Sequence, residues 1–243
     1  QDAELVSIAS KFSFDFKDKI QAQLTKIECT CLEKKQLDSI LLGLYLGTYN
    51  YPFERKHPFW NDNFNWESDS LSEKEISELQ NKVFAICEGQ FTGMDWLNKP
   101  ANYKKVNQVN DFLKKMSKSE NLKYKSFNRA ECEKLGLGAF LAVNQGSSQE
   151  ASFTILEYKS DVNVPTIGLV GKCVLFDTGG ISIKPSTNLH YMKSDMGGAT
   201  AVIGTLIAAA KMKLPVNLIA ILPITDNTVS AEAYLPSDVI TAY

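Results

Sequence analysis

The stretch VGKCVLFDTGGISIKPSTNLHYMKSDMGG, residues 170–198, sets Lys172, Asp177, Lys184 and Asp195 between an apolar run and a run of small residues. Carboxylate oxygens are hard ligands for divalent cations, and a lysine either polarises a carbonyl oxygen or, once deprotonated, donates a lone pair. The same four residues also have an ordinary reading. Asp177 precedes a Thr-Gly-Gly turn and Asp195 stands at the mouth of a helix, two places where aspartate accepts backbone N–H bonds, and the lysines are then solvated surface charges. A phosphate-cradling loop is the third candidate, but FDTGGISIKP lacks the GxxxxGK[ST] order and contains no GxGxxG. Spacing alone leaves the first two readings open.

The elements that must position these residues are legible around them. KCVLFD reads as a buried strand with Lys172 at its start and Asp177 at its end. DMGGATAVIGTLIAAAKMK follows as a helix of small residues, and PVNLIAILPI as a strongly buried strand. Strand, helix, strand with apolar strands predicts a βαβ unit in a sheet covered on both faces, where sites collect beyond the carboxyl ends of the strands.

Upstream, Leu37, Ile40, Leu41, Leu44 and Tyr45 recur at helical spacing, as do Ile76, Leu79, Val83 and Ile86 after a Ser72/Glu75 capping box. Between these helices, NYPFERKHPFWNDNFNWESDS reads as a loop or surface excursion, with a boundary near residue 70. A further helix follows Pro100 with Val106, Val109, Phe112, Leu113 and Met116 on its buried side. LKYKSFN, SFTILEYK and TIGLVG read as strands, and RAECEKLGLG as a short helix ended by Gly136. No internal repeat or low-complexity tract is present.

A chain of 243 residues with 26 basic and 28 acidic side chains has the balance of an ordinary globular protein, and no bias toward nucleic acid or an anionic membrane. Its five cysteines are scattered without a CxxC pair, which predicts neither a disulfide framework nor a cysteine zinc site and suits a reducing cytoplasm. The first residues carry neither a basic leader nor a continuous apolar segment, and AVIGTLIAAAKMK is too short to span a bilayer. No initiator Met is present, consistent with a processed or trimmed start.

Residues 170–202 closely resemble the signature region of the leucyl aminopeptidase (M17, cytosol aminopeptidase) family, in which a Lys, Phe-Asp-Ser-Gly-Gly, Ser-Ile-Lys-Pro and Asp-Met-Gly-Gly recur in this order. LGLYLGTYNY, LNKPAN, LGLGAFLAVNQGS, ILEYK and KLPVNLIAILP resemble the family's flanking segments, so the likeness runs from about residue 35 to the end. It implies an α/β fold with a mixed, largely parallel sheet covered by helices on both faces, a zinc-exopeptidase-like catalytic domain that is incomplete here. Residues 1–70 would be the remnant of an N-terminal α/β domain, 71–95 a connecting helix and 96–243 the first part of the catalytic domain.

The resemblance further implies two divalent cations, Zn, Mn or Mg, with Lys172, Asp177 and Asp195 as ligands. Lys184 becomes the catalytic lysine that meets the scissile carbonyl oxygen, and Met192 lines the pocket for the first side chain of a peptide substrate. The implied activity is removal of N-terminal, preferably hydrophobic, residues, in a homo-hexamer whose complete site also holds a bicarbonate as general base. The family's Asn-Thr-Asp-Ala-Glu-Gly-Arg segment, which supplies further ligands and the bicarbonate-holding Arg, is expected just after SDVITAY, so this chain alone is expected to be inactive. Cys173 and Thr178 stand where the family has Gly and Ser, LHYM replaces Met-Asp-x-Met, and SAEAYLPSDV departs from a more glycine-rich and basic stretch. The alternative is a catalytically silent fragment, scaffold or DNA-binding architectural module, against which the absence of a basic stripe counts.

Overall fold

A computed structural model of the chain describes residues 2–23, 26–29, 32–50, 65–230 and 235–239. Packing divides it into two compact units, Gln1–Phe91 and Thr92–Tyr243. The first contains α1 (Asp2–Gln23), β1 (Lys26–Cys29), α2 (Lys34–Gly47), β2 (Asn65–Ser68) and most of α3 (Glu73–Asn98), the helix that continues into the second unit. The helical spacing read in α2 and α3 buries Leu37, Leu41, Leu44 and Tyr45 with Ile76, Leu79 and Val83. Ser72 and Glu75 close the expected capping box, Ser72 N donating to Glu75 Oε2 at 3.1 Å and Glu75 N to Ser72 Oγ at 3.4 Å.

Two features of this unit differ from the sequence reading. The expected excursion between α2 and α3 ends in β2, which pairs parallel with β1 from Lys26↔Asn65 to Cys29↔Ser68, while its residues 51–64 lie outside the described residues. Helix α1 had no apolar signature because Phe12, Phe14 and Phe16 recur with the period of a strand. On a helix Phe12 and Phe16 share one face, their ring centroids 5.1 Å apart, Phe14 falls on another, and all three are exposed.

The second unit is built on a sheet of β3 (Lys123–Phe127), β4 (Ser152–Tyr158), β5 (Thr166–Val170), β6 (Cys173–Asp177) and β7 (Asn217–Asn227). Its helices are α4 (Val106–Ser119), α5 (Arg129–Lys134), α6 (Gly138–Val143) and α7 (Gly197–Lys211), with 3-10 turns at Ala101–Tyr103 and Leu189–Ser194. The sheet is mixed: β4 runs antiparallel to both β3 and β7, and β5 and β6 run parallel to β7. Alternate residues of β7, from Leu218 through Ala220 and Leu222 to Ile224, enter one core with Val109 and Leu113 of α4 and Ile203 and Leu206 of α7. Phe153 of β4 points to the opposite face and packs with Phe140 and Leu141 of α6, so helices flank the sheet on both faces. The three cysteines whose side chains are described, Cys87, Cys132 and Cys173, are free and buried.

Strands β5 and β6 lie end to end along one edge of β7, Val170 opposite Ile221 and Cys173 opposite Ile224. Gly171 N donates to Ile221 O at 3.0 Å, so Pro223, two residues on, faces the same edge with no N–H to give. The ladder is interrupted there, at Gly171–Lys172. On the side away from β7, the Lys172 carbonyl accepts from Ala199 N of α7 at 2.9 Å. This contact is backbone against backbone. A Cβ on Gly171 would lie 2.6 Å from Ala199 Cα, and one on Gly198 would lie 2.9 Å from Lys172 N. Gly171→Ala is therefore expected to overpack this junction at a cost of about 1–3 kcal/mol. The check is a lower urea midpoint with an unchanged m-value; an unchanged midpoint would show that α7 has room to retreat.

Candidate metal and catalytic site

Lys172 and Asp195 are brought together by this junction. Lys172 leaves the broken edge just before β6, and Asp195 closes the Leu189–Ser194 turn, its N–H donating to Met192 O at 3.3 Å. Lys172 Nζ lies 2.8 Å from Asp195 Oδ2 with the lysine side chain 58% exposed and the aspartate 20%. That oxygen is buried and has no partner in hydrogen-bonding geometry. Helix α7 begins at Gly197 with Met196 at its cap and no side-chain cap bond, so Asp195 is not an N-cap residue. The ordinary reading of this aspartate fails, and its carboxylate is left for a cationic partner.

Asp177 and Lys184 form the second pair. The turn after β6 passes through Gly179 (φ +92°) and Gly180 (φ +74°), both in the left-handed region that glycine tolerates. Lys184 N then donates back to Thr178 O at 2.9 Å, which returns the lysine to the strand end. Its Nζ donates to Asp177 Oδ2 and contacts Met192 Sδ at 3.3 Å. Asp177 Oδ1 accepts from Gly179 N at 2.9 Å, so the turn-forming role read from the sequence is real, and it also accepts from Asn227 Nδ2 at 2.8 Å. Burial pushes the Asp177 carboxyl up, but the bonds from Lys184, Gly179 and Asn227 outweigh it and hold the group below its ordinary value.

Asn227 is the site residue that the sequence reading did not single out. It lies opposite Asp177 where β6 pairs with β7, and its carbonyl accepts from Thr178 N and Oγ1, both at 2.9 Å. The available signal was the end of the apolar run within β7, which closes in Thr-Asp-Asn.

The five residues expected to form the site therefore lie along β6, the turn that follows it and the 189–194 turn that packs against it, as one pair where β6 begins and one where it ends. Lys172 pairs with Asp195, and Lys184 lies on both Asp177 and Met192. As a metal centre the set is partial: among the described residues no group of three or more His, Cys, Asp and Glu side chains could hold an ion. Its chemistry nonetheless fits a hard cation. Two carboxylates, one with a buried oxygen lacking any hydrogen-bond donor, face ammonium groups at a position where positive charge is required.

Comparison with known proteins identifies the family of the chain. The model of the cytosol aminopeptidase family, catalytic domain, matches residues 92–243. A probable cytosol aminopeptidase of Rickettsia canadensis is 36% identical over 206 residues, covering 82% of this chain and 40% of the relative. One from Rickettsia felis is 37% identical over 203 residues, covering 82% and 41%. The chain thus spans about two-fifths of the length of these curated relatives. Among solved structures, the bottromycin maturation enzyme BotP in complex with Mn superposes with a TM-score of 0.76 at 25% identity, over 97% of this chain and 50% of that one. The cytosol aminopeptidase from Coxiella burnetii gives a TM-score of 0.68 at 23% identity over 96% and 49%, a likeness of fold. With its βαβ unit, its paired lysines and carboxylates and a family match over most of its length, the chain belongs to the cytosol aminopeptidase family.

Proposed function

We propose that the chain is part of a metal-dependent aminopeptidase that removes N-terminal, preferably hydrophobic, residues from peptides. The observation that carries this reading is the pairing of Lys172 with Asp195 and of Lys184 with Asp177 along β6 and the turn packed on it, within the family-matched region. The Mn in the BotP complex supports a divalent cation as cofactor. Lys172, Asp177 and Asp195 would be ligands, and two such ions, Zn²⁺, Mn²⁺ or Mg²⁺, would when bound supply Lewis acidity and a water acidic enough to attack near neutral pH.

The chain's own residues have distinct tasks in this reading. Lys172 must lose a proton before its nitrogen has a lone pair to offer, and it then releases Asp195 Oδ2. Asp177 is held on Oδ1 by Gly179 and Asn227, which leaves Oδ2 as its exchangeable oxygen. Lys184 keeps its charge and swings from that oxygen to the substrate carbonyl, where it stabilises the negative charge that develops on attack. Met192, in contact with Lys184, lies where the first side chain of a peptide would sit. The remaining ligands, a bicarbonate base and the hexameric assembly belong to the intact protein in this proposal, and the present chain alone would not turn over.

A chain extended to the length of the Rickettsia relatives is expected to hydrolyse leucyl amides with added Mn²⁺ or Zn²⁺. Inactivity of that folded, metal-loaded form would overturn the reading. In it, Asp195→Ala should lose metal and turnover together, and full metal stoichiometry after this change would contradict the ligand assignment. Lys184→Ala should retain metal but lower kcat by about 10²–10³-fold, as removal of one electrostatic stabiliser does.

The Lys184–Asp177 pair also has a signature without metal. Asp177 lies below its ordinary value of 3.8 in the folded chain, so its contribution to stability is present above that pH and is lost as pH falls through the lower folded value. Lys184→Ala removes one of the bonds that lower it, so the acid-unfolding midpoint should move to higher pH. An unmoved midpoint would show that the pair contributes nothing to the folded state.

A further inference from the structure

Lys104 is the most deeply buried charged side chain among the described residues, 1% exposed, and no described carboxylate pairs with it. Burial pushes its ammonium down to about 7; the Lys193 and Lys99 ammoniums add to the depression, and the buried Cys173 thiol opposes it. An unpaired buried lysine is expensive, so its bonds must do what an apolar side chain could not. Those bonds go to two main-chain carbonyls, Trp96 O at 3.1 Å and Lys193 O. Trp96 lies in the last turn of α3, where the residue four places on is Pro100, which has no N–H to return. Lys104 therefore satisfies a carbonyl that the proline orphans.

Lys193 completes the arrangement from the other side, its Nζ donating to Asn98 O, the last carbonyl of α3, at 3.3 Å. Lys99 stands over the Trp96 ring at 4.5 Å. Cations thus gather at the negative end of the α3 dipole, the place that favours them. Two of them also grip the Leu189–Ser194 turn, Lys104 by the carbonyl of residue 193 and Lys193 by its own side chain. That turn carries Met192 and leads directly into Asp195.

We infer that Lys104 and Lys193 are positioning residues, a two-lysine clamp that fixes the Asp195-bearing turn on the C-terminal carbonyls of α3. The clamp itself stands on these hydrogen bonds; its consequence for metal rests on the function proposed above. Lys104→Met keeps the length of the side chain and removes its donors. Lys193→Met does the same at a less buried position and serves where Lys104→Met fails to fold, with Lys193→Arg as the conservative rescue.

Hydrogen exchange on the chain itself is expected to accelerate in peptides covering residues 186–198 in both methionine variants, while β4 and β7 keep their protection. Lys193→Arg should restore the slow exchange. Unchanged exchange over 186–198 in folded Lys193→Met, or a uniform acceleration throughout the sheet, overturns the clamp whether or not metal binds. Mn²⁺ titration of the same variants in a chain extended to the length of the Rickettsia relatives reads the consequence: supporting residues of this kind are worth about 10-fold or more in affinity. Failure of that extended wild-type chain to bind Mn²⁺ would count against the metal reading, and the exchange result would still decide the clamp.

Discussion

The site depends on one contact between two pieces of backbone. Pro223 withholds one ladder bond between β5 and β6, and at that point, on the side away from β7, the carbonyl of Lys172 takes the N–H of Ala199. No side chain fits between Gly171 and Ala199, or between Gly198 and Lys172, so the start of α7 is held at a fixed distance from the strand edge. That distance determines where Lys172 and Asp195 stand relative to each other.

The two carboxylates are held in unlike ways, which suits unlike roles. Asp177 is fixed by a backbone amide, a side-chain amide and an ammonium, and its orientation is determined before any ligand arrives. Among the described residues the Asp195 carboxylate meets Lys172, whose side chain is more than half exposed, and its Oδ2 is buried without a partner in hydrogen-bonding geometry. One carboxylate is thus fixed by three donors and the other is held by charge alone.

Much of this was legible in the sequence because the determining signals are local. The apolar spacing in α2, α3 and α4 and the strand, helix, strand succession of β6, α7 and β7 all correspond to elements of the fold. Helix α1 escaped because its phenylalanines alternate with polar residues over a short run and face solvent instead of a core. The pairing of β1 with β2 escaped because each strand is only four residues long and they are separated by α2. Within the site, the types and order of Lys172, Asp177, Lys184 and Asp195 were visible, but whether Asp195 capped a helix was a question of where α7 starts, which two glycines in a row leave open. Asn227 depends on strand register, and Lys104 on a proline four residues earlier that orphans a carbonyl; neither is a pattern of spacing.

The departures from the family signature fall on positions where the structure absorbs them. Cys173 replaces a glycine at the head of β6, yet its side chain is wholly buried in the main core, and burial pushes the thiol up to about 12, so it packs as a small neutral group. Thr178 replaces a serine, and its hydroxyl still donates to Asn227 O at 2.9 Å and accepts from Gly180 N at 3.3 Å, closing the turn that returns Lys184 to Asp177. Its added methyl group is accommodated in a residue that is 5% exposed. In the 189–194 turn, His190 and Tyr191 stack on each other with ring centroids 4.1 Å apart while Met192 keeps its contact with Lys184. These departures are thus a buried core thiol, a turn hydroxyl that keeps both its bonds and a turn whose Tyr191 is exposed, while the ion pairs Lys172–Asp195 and Lys184–Asp177 are both present.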